Sequence, residues 1–97
     1  MTANQRAVRL FINGRVQGVG FRWWCMREAE HLGVDGWVRN RLDGSVEAMA
    51  FGSGEAVEQL IQACRKGPAG AAVAEVHVSE ADASEAHLPG FKQVPTA

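Results

Sequence analysis

The chain has 97 residues, 46% of them hydrophobic, with ten Lys or Arg against eleven Asp or Glu and a formal charge of −1. These are the proportions of one soluble globular domain, and they exclude a disordered or fibrous chain. No apolar run approaches the ~20 residues that span a bilayer, and the basic start, Met1 to Arg9, lacks the apolar core of a signal peptide, so a cytoplasmic location with no membrane partner is expected.

The near-zero net charge hides an asymmetry. Residues 1–41 carry seven Arg against three acidic side chains, and the remainder carries three basic against eight acidic ones. The first part is therefore positive, as an anion site requires, but no basic stripe of the nucleic-acid-binding kind is present. Cys25 and Cys64 have no His or Cys companions at ligand spacing. They read as two buried free thiols, with no metal site.

In chain order, Ala7 to Ile12 alternates as a strand with Val8, Leu10 and Ile12 on one face. Gly14-Arg15-Val16-Gln17-Gly18-Val19-Gly20-Phe21-Arg22 follows and leads directly into a helix. Its glycines open backbone conformations that turn successive N–H groups toward one point. The helix start adds unpaired N–H groups and a positive dipole end. Arg22, in the first turn, brings a planar fork of donors. Together they describe a cradle for a phosphate or similar oxyanion. Generic phosphate signatures do not fit: five residues, not four, separate Gly14 from Gly20, and Phe21-Arg22 stand where a P-loop has Lys and Ser or Thr. On spacing alone, an ordinary glycine-rich connection remains an equal reading.

Phe21 to Leu32 reads as that helix, with Phe21, Cys25, Ala29 and Leu32 on its buried face, Trp23 at the edge of that face, Trp24 flanking it, and Gly33 as the stop. Gly36 to Asn40 is a short strand, Arg41 to Gly44 a turn with an Asp-Gly signal, and Ser45 to Phe51 the return strand. Val46, Ala48 and Ala50 are expected to face the core, and Glu47, Met49 and Phe51 the open side. Ser53 reads as the N-cap of a second helix burying Val57, Leu60, Ile61 and Cys64, ended by Gly67-Pro68. Val73 to Ser79 is the fourth strand by its β-branched content. Glu80 to Pro89 reads as a loop, and Gly90 to Val94 as an edge strand terminated by Pro95.

The order β-α-β-β-α-β with a possible fifth strand predicts an α+β, ferredoxin-like sandwich. Two helices pack on one face of a four- to five-stranded, mostly antiparallel sheet. The chain reads as a single domain over 1–97, with a core at about 7–79 and a C-terminal edge segment at 90–95. That plan hosts many unrelated functions.

GRVQGVGFR at 14–22, GWVRN at 36–40 and DGSVE at 43–47 together resemble the acylphosphatases, as do the GP loop after the second helix and PGF near the C-terminus. The resemblance implies a hydrolase without metal or other cofactor that splits the carboxyl–phosphate anhydride of small acyl phosphates into carboxylate and orthophosphate. It also implies two catalytic residues, Arg22 on the phosphoryl group and Asn40 on the attacking water. The phosphate cradle would be the amides of Arg15, Val16, Gln17, Gly18, Val19, Gly20 and Phe21, acting in a monomer with no nucleic-acid partner.

Each assignment has an ordinary alternative. Asn40 is also placed to cap a turn. Arg15, Arg39 and Arg41 are expected as surface charges that raise the local potential. His31, His77 and His87 share no spacing and are given no catalytic role, and Glu28 and Glu30 are expected to be solvated. Phe51 is expected to make the open sheet face sticky. Three other functions compete: a phosphate-sensing module without turnover, an RNA-binding domain of the same plan, and the front domain of a larger maturation protein. Retention of both Arg22 and Asn40 speaks against the first, the missing aromatics and charge against the second, and a tail that reads as a true terminus against the third.

Overall fold

The computed structural model describes residues 4–82, 84 and 89–97. The elements are β1 (Gln5–Arg15), α1 (Phe21–Leu32), β2 (Asp35–Asn40), β3 (Val46–Ser53), α2 (Gly54–Lys66), β4 (Ala72–Glu80) and β5 (Phe91–Gln93). They form one five-stranded sheet in the order β4-β1-β3-β2-β5. β1–β3, β1–β4 and β2–β3 are antiparallel, and β5 joins β2 in parallel. The two β-α-β crossovers lay both helices on one face, the predicted ferredoxin-like sandwich.

Alternation along the strands decides what lies under the helices. Val8, Leu10 and Ile12 of β1 and Val46, Ala48 and Ala50 of β3 are fully buried against Phe21, Cys25 and Ala29 of α1 and Val57, Leu60 and Cys64 of α2. Each larger side chain here contributes about 1.5–3 kcal/mol by leaving water. Cys25 and Cys64 are free and buried. A hydrogen bond to Cys64 and burial push the Cys25 thiol well up, so it stays protonated and chemically quiet. Among the described residues no helix is long and apolar enough to cross a membrane.

Several boundaries differ from the sequence-based expectation. β1 runs on to Arg15 because β4 keeps pairing with it past a register shift between Asn13 and Gly14. Gly14 is needed there for close approach, since a Cβ on it would lie 2.4 Å from the Ala72 carbonyl oxygen. Gly14 and Arg15 therefore belong to the sheet, and the connecting loop begins at Val16. At the other end, Pro95 does not part the chain from β2. Val94 N–H donates to the Val38 carbonyl at 2.9 Å, Ala97 N–H to the Asn40 carbonyl at 3.2 Å, and Leu42 N–H to the Ala97 carbonyl at 3.0 Å. Of the predicted 80–89 loop, residues 83 and 85–88, His87 among them, lie outside the described residues.

Candidate active site

The last rungs of the sheet bring the site together. Ile12 pairs with Val46 and Val46 with Asn40, so these three form one row across β1, β3 and β2. Ile12 and Val46 point under the helices, and Asn40 alternates to the same face of the row, at the end of the sheet from which the 16–20 loop departs. Within that loop Gly18 and Gly20 take φ of 75° and 77°, left-handed values that other residues resist.

Gly20 is also the N-cap of α1. It offers no side-chain cap, and no acidic residue stands in the first turn. α2 is built the other way, with the Ser53 hydroxyl accepting from Ala56 N–H at 3.1 Å and Glu55 in its first turn. Among the described residues, neither a capping side chain nor a first-turn carboxylate thus compensates the N–H groups and positive end of α1, and Arg22 stands beside them.

Arg22, Asn40, Gly18 and Gly20 line one pocket of about 140 Å³, together with Val16, Phe21, Trp23 and Gln93. Among the described residues the Arg22 guanidinium has no hydrogen-bond or ion-pair partner. Among the described residues no hydrogen bond ties the Asn40 carboxamide to the adjoining turn. Asp43 closes that turn, its Oδ1 accepting from the Ser45 amide at 2.9 Å and the Ser45 hydroxyl at 2.6 Å. Those two bonds hold the Asp43 carboxyl below its ordinary range.

Not every predicted cradle residue lines the pocket. Arg15 lies in β1 paired with Ala72, and Val19 leans against the hydrophobic core. Gln17 turns its side chain to the β2–β3 turn, donating from Nε2 to the Arg41 carbonyl at 2.7 Å and the Ser45 carbonyl at 2.9 Å. It thereby ties the loop to the strand end that carries Asn40. Phe21 buries its ring edge-on to Trp24, with centroids 5.2 Å apart.

Two pocket residues had no functional assignment. Trp23 stands 55% exposed at the lip, with the Arg27 guanidinium 5.3 Å from its ring centre. Gln93 arrives because β5 lies parallel to β2, opposite Val38; no local pattern signals that pairing.

Arg39 and Arg41, expected as surface charges, stay out of the pocket lining but are engaged with a carboxylate. Both donate to Glu47 Oε1 at 2.8 Å, and Arg9 donates to Glu47 Oε2 at 3.1 Å. Glu47, on the sheet face away from the helices, is 0% exposed beneath these three guanidinium groups. Arg39 also covers Trp37 at 4.8 Å and Arg41 covers Phe11 at 5.9 Å. Glu47 was expected on an open face, but long arginine stems roof it. Phe51, expected on the same face, is only half-buried. Among the described residues no three His, Cys, Asp or Glu side chains converge.

An uncapped helix start, a glycine loop and a guanidinium suit a tetrahedral oxyanion, and a carboxamide beside them suits a water or a hydroxyl. Residues 8–93 match the model of the family described as Acylphosphatase. The chain is 52% identical over 92 residues to an acylphosphatase of Nitrobacter winogradskyi, covering 91% of this chain and 93% of that protein. It superposes on the acylphosphatase of Bacillus subtilis with a TM-score of 0.86 and 36% identity, over 94% of this chain and 99% of that one. It also superposes with a TM-score of 0.87 and 26% identity on full-length HypF, over 99% of this chain but 13% of that one.

Proposed function

The chain belongs to the acylphosphatase family and is a hydrolase; from that premise we propose how it cleaves the carboxyl–phosphate anhydride of acyl phosphates. The phosphoryl oxygens lie against the amides of the 16–21 loop and the Arg22 fork. Asn40 holds a water in line with the bond that breaks. The convergence of Gly18, Gly20, Arg22 and Asn40, drawn from a loop, a helix and a strand end, on one pocket is the observation that carries this reading.

The chemistry asks for little more. Water oxygen attacks phosphorus, the P–O bond to the acyl group breaks, and its electron pair leaves on a carboxylate. The conjugate acid of that carboxylate has a pKa near ~4–5 by analogy with side-chain carboxyls, so it departs unprotonated and no general acid is required. A phosphoryl oxygen takes the water's proton, giving carboxylate and orthophosphate. What the protein supplies is position and preorganised positive charge. Asn40 suits the water because its carbonyl accepts from water while its NH₂ donates elsewhere, and because, unlike a carboxylate, it does not repel the phosphoryl group. The two unpaired buried thiols accord with a cytoplasmic setting.

The test is hydrolysis of benzoyl phosphate in excess EDTA by wild type and Asn40→Ala. Metal-independent turnover is expected in the wild type. The variant should lose kcat by about 10²-fold or more, with KM changed far less. A raised KM with kcat intact would make Asn40 a substrate-binding residue instead. No turnover in folded wild type would point to a phosphate-binding module.

A further inference from the structure

Asn40 sits between two arginines that point the other way. Arg39 and Arg41 lie on the sheet face away from the pocket, and both donate to the same oxygen, Glu47 Oε1, at 2.8 Å. Arg39 is the cross-strand partner of Glu47. Arg41 lies just past β2, where its N–H still donates to the Ser45 carbonyl at 2.8 Å. The turn sets its backbone, and the carboxylate fixes where its guanidinium goes. Arg41's carbonyl is held at the same time by Gln17 Nε2 at 2.7 Å. One residue therefore joins the carboxylate on the far face to the loop that forms the cradle.

A buried carboxylate is a costly way to fill space, because an apolar side chain of similar volume is often as stable or more so. What a carboxylate adds is direction: it draws three guanidinium groups to one point and holds the backbone beneath them. We infer that Glu47 is a positioning residue, which fixes the strand end on both sides of Asn40 and so fixes the Asn40 carboxamide relative to the 16–21 loop. Glu47 lies across the sheet from the pocket and touches no substrate. The inference rests on the water-holding role proposed for Asn40.

Glu47→Gln keeps the shape but presents an NH₂ donor to at least one guanidinium. In benzoyl phosphate hydrolysis it should lower kcat by about 10- to 100-fold, as expected for a misplaced reacting group. KM and the inhibition constant for orthophosphate should move by less than about twofold, because the cradle itself is intact. The deciding measurement is the cycle with Asn40→Ala, in which Glu47→Gln should have no further effect on kcat once Asn40 is gone.

A full additional loss in the Asn40→Ala background overturns the inference, as does an unchanged kcat or an effect confined to KM. Wild-type turnover by Asn40→Ala alone overturns the water-holding role and the inference with it, so the two failures are told apart. Should thermal unfolding show Glu47→Gln to be unfolded, Arg41→Met takes its place in the same cycle. That variant leaves Arg9 and Arg39 on the carboxylate.

Discussion

Arg22 owes its position to one turn of helix. It follows the left-handed Gly20 by two residues, so its side chain leaves α1 beside the helix's own unpaired amides. Nothing described in the protein competes for its donors. A guanidinium in that state presents a rigid pair of N–H groups to two phosphoryl oxygens, whereas an ammonium presents a point charge. Arg22→Lys should therefore reduce kcat/KM for benzoyl phosphate by about 10²-fold or more, and weaken competitive inhibition by orthophosphate, without shifting the melting temperature. Near-wild-type turnover would remove Arg22 from the proposed mechanism. Gln17 shows the other kind of site residue. Its side chain bonds to two carbonyls of the neighbouring turn, so it serves the site by holding the loop in place.

The two helices start differently, and the contrast separates stability from function. α2 is capped by the Ser53 hydroxyl and carries Glu55 in its first turn, an arrangement that satisfies its own amides. Ser53→Ala should cost about 1 kcal/mol, seen as a lower denaturation midpoint at unchanged denaturant slope. Turnover should stay the same, because α2 contributes nothing to the pocket lining. α1 has neither device at its start. Its other end is closed conventionally, by left-handed Gly33, with Val34 N–H donating to the Ala29 carbonyl at 2.9 Å. The helix is thus held at its C-terminal end and by its buried face, while its N-terminal end stays open toward the pocket.

At the scale of the molecule, the site lies at the end of the sheet where β1 finishes, β3 begins and β2 finishes. Interleaving two crossovers puts those three ends together. The C-terminal segment completes that edge. β5 delivers Gln93 to the pocket, and residues 94–97 continue alongside β2 until Ala97 bonds to Asn40 and Leu42. Deleting residues 94–97 removes three backbone hydrogen bonds and no fully buried side chain. The truncated protein should still unfold cooperatively, with a melting temperature lower by a few degrees, about what 1 kcal/mol produces in a domain of this size. Its kcat should fall more than its KM rises, because the freed strand end is the one bearing Asn40. Calorimetry and steady-state kinetics on the same preparation check both.

Much of the architecture was legible because it is written locally. The helical periodicity of 21–32, the glycines on either side of it, the serine cap at 53 and the alternation of Val8, Leu10 and Ile12 each depend on neighbours within a few residues in the chain. The association of Arg22 with the glycine loop was legible for the same reason. What tertiary structure decided is whatever depends on a strand's partner. Gly14 and Arg15 belong to the sheet because β4 pairs that far. Gln93 reaches the pocket because β5 lies parallel to β2. Glu47 alternates correctly to the face away from the helices, yet it is buried there because arginines from β1, β2 and the turn converge on it. Periodicity along one strand tells which face a side chain takes, but burial and pairing on that face are set by the strands beside it, which only the folded sheet brings together.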